Sequence, residues 1–183
     1  STLSSSSAAS DVYKRQDVTF VQVASPSRER VDAYVHLRDE IELAVGRING
    51  DHDTMGHTAI RYLHQGYPRE EMVALYLAAD VMLVTALRDG MNLVAKEYVA
   101  TRADNRGVLV LSEFTGAADE LRQAVRVNPH DIAGLKDAIM TAVSMTPAEQ
   151  GKRMRSLRRR VLENDVNAWS SSFLRALAEV RRR

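Results

Sequence analysis

Short apolar runs alternate with longer amphipathic segments along most of the chain. Five of the runs lack an alternation of apolar and polar positions, which is typical of strands buried on both faces. They predict strands at residues 18–23, 58–64, 80–85, 107–111 and 125–127. The amphipathic segments predict helices at about residues 28–47, 68–78, 90–101 and 116–121, and again after Pro129. Strands that alternate with helices indicate an α/β fold with a doubly wound, Rossmann-like parallel sheet and helices on both faces.

Four helix ends carry cap or turn signals. Ser27 is placed to cap the helix that starts near Arg28, and the Gly/Asn/Asp-rich residues 48–53 are expected to end it in a turn. Asp131 is placed to cap a helix that extends to about Met145. The segment Thr146–Glu149 has the pattern of a capping box with proline at the first helical position.

The ends of the chain differ from its middle. Residues 1–16 are rich in Ser and Ala and have no apolar period, so we expect a disordered or non-native leader. Residues 17–164 are expected to form the Rossmann-like domain. Residues 165–183 predict an amphipathic C-terminal helix with Trp169, Phe173, Leu174 and Leu177 on its apolar side.

Composition excludes several classes of protein. The 183 residues contain 25 Lys+Arg and 24 Asp+Glu, and this near-neutral balance does not point to nucleic acid or a membrane surface as a partner. The absence of cysteine excludes disulfide scaffolds, Cys-ligated zinc and thiol nucleophiles. No apolar run approaches the roughly 20 residues that cross a bilayer. We therefore expect a cytoplasmic protein.

The common catalytic motifs are missing. The chain has no Gly-x-Gly-x-x-Gly turn, no Gly-Lys-Ser/Thr phosphate loop and no Gly-x-Ser-x-Gly elbow. Its five histidines include no His-x-x-x-His pair, so no metal site is expected from them. A dinucleotide-dependent dehydrogenase and a P-loop kinase are both disfavoured.

The loop after the third predicted strand is the candidate site, because ligands of open α/β sheets bind at the carboxyl ends of the strands. Gly90 leaves room for a ligand near the backbone. The N–H groups of Gly90, Met91, Asn92 and Leu93 are expected to be free and to point out of the helix that begins there. This end of a helix carries about half a positive charge, which suits a diphosphate.

Two carboxylates flank this helix start. Asp89 lies at its mouth, and Glu97 shares one helix face with Gly90, Leu93 and Val94. Acceptors at this spacing suit a sugar at one end of a diphosphate and a ribose at the other. The alternatives are that Asp89 is an ordinary N-cap residue and that Glu97 is a solvated residue paired with a nearby Arg or Lys.

A basic run, GKRMRSLRRR at residues 151–160, is open to two interpretations. One is a binding surface for an anionic partner. The favoured one is the solvated face of a helix whose other face carries Met154, Leu157 and Val161.

The segment RDGMNLVAKEYVA, residues 88–100, resembles the signature of the trehalose-6-phosphate synthase family. These are retaining glycosyltransferases of the two-domain GT-B fold. Residues 21–28, 46–50, 108–114, 116–118 and 127–129 also resemble family segments, so that the resemblance extends from about Asp17 to the C-terminus. It implies that the chain is the C-terminal, donor-binding half. The family's N-terminal acceptor domain and an upstream Arg/Lys pair for the diphosphate are expected to be missing, and the isolated chain is expected to be inactive.

The resemblance also implies roles for individual residues. Asp89, with the backbone of Gly90, Met91 and Asn92, is expected at the hydroxyls of the donor glucose. Leu93 and Val94 are expected beside the diphosphate through their N–H groups, and Glu97 at the ribose. The backbone of Gly66 and Tyr67 is expected to hold the base, and Arg28 to contact the phosphate of the acceptor. No catalytic residue is assigned within the chain.

The implied reaction is glucose transfer with retention from a nucleoside diphosphate glucose to glucose 6-phosphate, giving trehalose 6-phosphate. UDP-glucose is the expected donor, although the sequence leaves the base open. No metal or other cofactor is expected, and the full-length enzyme is expected to be homo-oligomeric, with no nucleic acid or membrane partner. Two alternatives stay open: a non-catalytic nucleotide-sugar-binding or regulatory module, and a related synthase such as a glucosylglycerol-phosphate synthase.

Overall fold

The structure is a computed structural model that describes residues 18–27 and 30–180. It divides between Pro68 and Arg69 into two compact units, each treated separately below. The predicted leader, residues 1–16, lies outside the described residues, as does Arg28.

The first unit is a single β-α-β crossover. Strand β1 (Phe20–Val23) pairs in parallel with β2 (Ile60–Leu63), with Phe20 opposite Ile60, and the long helix α1 (Asp32–His52) connects them. Both strands lie within the segments predicted for them.

Helix α1 starts and ends later than predicted. The N-cap position is Val31, which makes no side-chain cap hydrogen bond, so the prediction of a helix capped by Ser27 is wrong. The predicted turn at residues 48–53 is also wrong, since the helix continues to His52. The side chain of Asn49 explains the extension. Its amide donates to the carbonyl of Ile60 at 2.9 Å and its oxygen accepts from the N–H of Ile60 at 2.9 Å, as a neighbouring strand would.

The second unit contains a three-stranded parallel sheet in the order β3-β4-β5. Its strands are β3 (Val81–Val84), β4 (Val108–Ser112) and β5 (Val125–Val127). Its helices are α2 (Arg69–Ala78), α3 (Leu93–Thr101), α4 (Ala117–Glu120), α5 (Ile132–Val143), α6 (Pro147–Glu163) and α7 (Val166–Val180). The predicted α/β class with parallel strands and helices on both faces is confirmed.

The core of this unit lies on the two faces of β4, whose five residues are all buried. Leu109 and Leu111 point to one face and join the buried side chains of α2, α3 and α6, including Tyr98 and Met154. Val108 and Val110 point to the other face and pack against α5. Because both faces of β4 are buried, neither face needs polar side chains, and the sequence therefore shows no alternation of apolar and polar residues there.

Arg102, at the end of α3, is buried with only 3% of its surface exposed. Its guanidinium donates to the carbonyls of Tyr76 (3.2 Å), Leu77 (2.7 Å) and Ala79 (3.2 Å), which are the free carbonyls at the end of α2. The same side chain donates from Nε to the carbonyl of Arg106 at 2.9 Å. One cation therefore closes the end of one helix and holds the turn that follows another.

The positive charge of Arg102 is also matched. A terminal nitrogen lies 3.1 Å from a carboxylate oxygen of Asp104, and the guanidinium carbon lies 5.9 Å from the centre of the Tyr98 ring. The space around these groups is tight, because a Cβ added at Gly107 would lie 2.2 Å from the Tyr98 hydroxyl. Gly107 also has φ +81°, so both the lack of space and the backbone conformation disfavour a side chain there.

The last two helices follow the sequence closely. Thr146 accepts from the N–H of Glu149 at 3.4 Å, as the capping box predicts, and Met154 and Leu157 of α6 are buried. Helix α7 has no buried residue, and Trp169 stacks on Phe173 with ring centroids 5.5 Å apart. Among the described residues, no helix combines the length and the apolar character needed to cross a membrane.

Replacing Arg102 with Met tests its part in the fold. The change leaves the carbonyls of Tyr76, Leu77, Ala79 and Arg106 without this donor, and we expect the free energy of unfolding to fall by about 3 kcal/mol. Urea denaturation measures it. Arg106→Met is the matched control, since the Arg106 side chain is exposed and its hydrogen bonds to Arg102 and Asp104 come from the backbone, which the change keeps. Equal losses in the two variants would contradict the role given to the buried guanidinium.

Candidate functional site

The loops after β3 and β4 are joined at the carboxyl edge of the three-stranded sheet. Asp89 and Thr115 form a parallel bridge, in which the N–H of Asp89 donates to the carbonyl of Phe114 at 3.1 Å and that of Gly116 donates to the carbonyl of Asp89 at 3.2 Å. The N–H of Ala117 donates to the carbonyl of Met91 at 2.9 Å. The loop before α3 is therefore fixed to its neighbour by backbone hydrogen bonds.

The carboxylate of Asp89 organises the loop from within. Oδ1 accepts from the N–H groups of Met91 and Asn92, each at 3.1 Å, and Oδ2 accepts from the side-chain amide of Asn92 at 2.9 Å. The prediction that the N–H groups of Met91 and Asn92 are free is therefore wrong. Asp89 takes them because a short acidic side chain readily bonds to backbone N–H groups two and three residues ahead.

Asn92 is the N-cap of α3. It has φ +69° and ψ +85°, a left-handed conformation that asparagine tolerates better than most residues, and its side chain accepts from the N–H of Ala95 at 3.0 Å. The helix thus begins at Leu93 and not at Gly90 as predicted. The alternative that Asp89 is itself the N-cap is also wrong, because the carboxylate lies one turn earlier and holds the cap in place.

Gly116 allows the two loops to approach closely. A Cβ added there would lie 2.1 Å from the carbonyl oxygen of Gly90, so any other residue would force the loops apart. A Cβ at Gly90 would meet nothing within 4 Å, which leaves open space on its outer side. No described residue accepts a hydrogen bond from the N–H groups of Gly90, Leu93 or Val94. These three donors remain for a ligand at the positive end of α3.

The first turns of α3 divide into a buried side and an exposed side. Ala95, Tyr98 and Val99 are fully buried against the sheet. Leu93 is 61% exposed and Val94 41% exposed, and Glu97 lies on the exposed side with them. The predicted shared face of these residues therefore exists, and it carries the free N–H groups at one end and a carboxylate about one turn further along.

Glu97 is held by a tyrosine that sequence reasoning missed. The hydroxyl of the buried Tyr76 on α2 donates to Oε2 of Glu97 at 3.2 Å. Burial, followed by the negative charge and hydrogen bond of Glu97, raises the pKa of Tyr76 to about 12. Among the described residues, no Arg or Lys forms a salt bridge with Glu97, so the alternative of a solvated ion pair is not observed. Only the packing of α2 on α3 brings the pair together.

The remaining predicted residues belong to the first unit. Gly66 and Tyr67 follow β2 in an exposed loop, where the hydroxyl of Tyr67 accepts from the side-chain amide of Gln65. No described residue is a hydrogen-bond partner of the backbone of Gly66 or Tyr67. Their predicted contact with a base stays a prediction, as does the role of Arg28, which lies outside the described residues.

Comparisons with known proteins agree on one family. The family model described as glycosyltransferase family 20 matches residues 9–179. The trehalose-6-phosphate synthase of Mycolicibacterium smegmatis is 61% identical over 165 residues, which are 90% of this chain and 33% of that protein. The synthase of Mycobacterium avium is 61% identical over 166 residues, 91% of this chain and 34% of that protein. The chain spans about a third of the length of these relatives.

Solved structures show the same fold. A structure described as trehalose-6-phosphate from E. coli bound with UDP-2-fluoro glucose is 41% identical, with a TM-score of 0.86, covering 91% of this chain and 37% of that one. An α,α-trehalose-phosphate synthase (UDP-forming) from Burkholderia xenovorans, in complex with glucose-6-phosphate, is 44% identical, with a TM-score of 0.86. The match covers 92% of this chain and 37% of that one.

Replacing Asp89 with Asn tests the organisation of the loop. An amide oxygen is an uncharged and weaker acceptor for the N–H groups of Met91 and Asn92, and the amide nitrogen cannot accept from the side chain of Asn92. We expect hydrogen exchange of the Met91 and Asn92 amides to become roughly tenfold faster. Asp119→Asn, on the exposed side of α4, is the matched control. Unchanged exchange at both amides would contradict the arrangement.

The raised pKa of Tyr76 and Tyr98 predicts a loss of stability at high pH. Burial raises the pKa of both phenols from 10.0 to about 12. The folded chain then keeps protons that the unfolded chain releases. This contribution is complete below about pH 10 and is lost as the pH rises towards about 12. Urea unfolding between these limits measures it. The double variant Tyr76→Phe/Tyr98→Phe is expected to have a shallower pH dependence, and an unchanged slope would contradict the assignment.

Proposed function

The chain belongs to glycosyltransferase family 20, and from this premise we propose that it is the donor-binding part of a trehalose-6-phosphate synthase. The whole enzyme transfers glucose, with retention, from a nucleoside diphosphate glucose to glucose 6-phosphate. One observation carries the assignment of the donor site to this chain. The unpaired N–H groups at the start of α3 and the carboxylate of Glu97 lie on one exposed helix face. That face presents positive polarity for a diphosphate and an acceptor for hydroxyls.

The diphosphate binds at the N-terminus of α3 in this proposal. The N–H groups of Gly90, Leu93 and Val94 have no acceptor among the described residues, and the helix dipole adds positive potential at the same point. As the bond between glucose C1 and the phosphate oxygen breaks, negative charge grows on the leaving diphosphate. These fixed donors stabilise it without rearrangement. The leaving oxygen takes the proton of the attacking acceptor hydroxyl, so that no nucleophile from this chain is needed.

The ribose binds at Glu97. A carboxylate accepts from two neighbouring hydroxyls, one at each oxygen, and such charge-assisted hydrogen bonds are stronger than neutral ones. Tyr76 occupies Oε2 from the buried side at 3.2 Å, which leaves the outer lone pairs for the ligand. Because the phenol of Tyr76 is fixed in the core, it also limits the rotamers open to Glu97 and lowers the entropy lost on binding.

The donor glucose binds beside Asp89. Oδ1 already accepts two backbone hydrogen bonds and Oδ2 accepts one, so an outer lone pair of Oδ2 remains for a sugar hydroxyl. Asp89 then has two tasks, which are to shape the loop and to contact the sugar. The backbone of Met91 and Asn92 contributes to the same pocket by its position and not by free N–H groups.

The other parts of the proposal rest on the family alone. They are the contact of Gly66 and Tyr67 with the base, the contact of Arg28 with the acceptor phosphate, the choice of UDP-glucose, and a reaction without a metal or other cofactor. A homo-oligomeric full-length enzyme in the cytoplasm also stays a prediction. The regulatory-module alternative is tested by turnover, since it predicts UDP-glucose binding without trehalose 6-phosphate formation even when the rest of the enzyme is supplied.

The ribose assignment is tested by a double comparison. In calorimetric titrations of the 183-residue chain, Glu97→Gln is expected to weaken the binding of UDP about tenfold, because a charge-assisted hydrogen bond is lost. Removing the ribose hydroxyls, in 2′,3′-dideoxyuridine diphosphate, is expected to weaken binding to the unchanged protein by a similar factor. If Glu97 and the hydroxyls are partners, the variant binds UDP and the dideoxy compound equally well.

The control is Glu179→Gln, an exposed glutamate on α7 that carries the same change of charge away from α3. It is expected to bind UDP as the unchanged chain does. If the losses from Glu97→Gln and from the dideoxy compound simply multiply, Glu97 does not contact the ribose and the proposed orientation of the donor is wrong.

A further inference from the structure

A groove on the second unit is lined by arginines that the donor site does not use. It lies between the segment that leads from α4 to β5 and the last two turns of α6, and it encloses about 420 Å³. Its base is the buried side chain of Leu157. Ser156, Arg159, Arg160 and Glu163 all line it, since positions spaced by three, four and seven residues fall on one helix face.

The guanidinium groups in the groove exceed the carboxylates that could neutralise them. Arg122 faces it from the α4–β5 segment, and its Nε donates to the carbonyl of Asp119 at 3.0 Å, so its charge has no carboxylate partner among the described residues. Glu120 also lines the groove, but Lys96 already neutralises it at 2.8 Å.

Only Glu163 remains to balance the two arginines of α6. Its carboxylate oxygens lie 3.9 Å from Nε of Arg159 and 3.8 Å from Nη1 of Arg160, which is beyond hydrogen-bond distance in both cases. The three arginines therefore face one loosely held carboxylate, and the groove has an excess of about two positive charges. The other arginine of α6 near this face, Arg153, is satisfied by Glu149 at 2.8 Å.

We propose that this groove binds a small phosphorylated anion with two to three negative charges. Guanidinium groups match phosphate oxygens in a bidentate manner, and the hydroxyl of Ser156 adds a neutral donor. The volume falls within the range of pockets that hold small metabolites. The basic run at residues 151–160 is then divided by function, with Arg159 and Arg160 in the groove and Arg155 on the solvated part of the helix.

The proposal is independent of the donor assignment. None of the residues expected to hold the nucleotide sugar lines the groove. The two sites can therefore be occupied together, and a failure of one assignment does not decide the other.

Inorganic pyrophosphate is the probe, titrated calorimetrically into the 183-residue chain at constant ionic strength with the donor site saturated by UDP-glucose. Saturable binding of one pyrophosphate per chain is expected. Arg122→Gln and Arg160→Gln are each expected to raise its Kd about tenfold, because each removes a charge-assisted contact. Arg155→Gln is the matched control, with the same change on the same helix outside the groove, and its Kd is expected to stay within about twofold.

Thermal unfolding of each variant shows whether it is folded, and all three replaced side chains are exposed. Three results would overturn the proposal. The first is the absence of saturable binding, and the second is an equal loss in Arg155→Gln, which would indicate only a diffuse basic surface. The third is pyrophosphate binding that is seen only when UDP-glucose is left out, which would assign the anion to the donor site.

Discussion

The buried guanidinium of Arg102 is the interaction on which the second unit depends. Arg102 follows the last residue of α3, and its guanidinium donates hydrogen bonds to the carbonyls of Tyr76, Leu77 and Ala79 at the end of α2. The C-terminal ends of the two helices are thereby fixed to each other. The hydroxyl of Tyr76 can reach Glu97 only because α2 lies at this distance from α3. The buried charge of Arg102 thus determines how Glu97 is presented to solvent, although the two residues lie more than one helical turn apart on the chain.

The candidate site combines two kinds of support. The loop before α3 is held by contacts between near neighbours, from Asp89 to Asn92 and from Asn92 to Ala95. It is also held by a neighbouring loop, through the bridge of Asp89 with Thr115 and the close approach of Gly116. The first kind gives the loop its shape, and the second places that shape at the edge of the sheet. Together they leave a small set of N–H groups unpaired, which is what an anionic ligand requires.

The distribution of charge separates the two proposed sites. At α3 the ligand meets backbone donors and one carboxylate, so recognition depends on geometry and on hydroxyl groups. In the proposed groove beside α6 the ligand would meet three guanidinium groups and one hydroxyl, so recognition would depend mainly on net charge. Both proposed sites would take an anionic group, one through backbone N–H groups and the other through guanidinium groups, a difference that the near-neutral total charge does not reveal.

Sequence alone determined the α/β class, the positions of all five strands, the exposed face of α3 and the membership in a family, because each depends on local pattern or on a contiguous motif. It did not determine the end of α1, where Asn49 binds β2, or the partner of Glu97, or the groove of Arg122 with Arg160. It also misjudged the N–H groups of Met91 and Asn92, since a cap aspartate and a loop-shaping aspartate have the same local pattern. The end of α1, the partner of Glu97 and the groove depend on which elements pack together, because residues far apart in the chain meet only when the fold has brought their elements into contact.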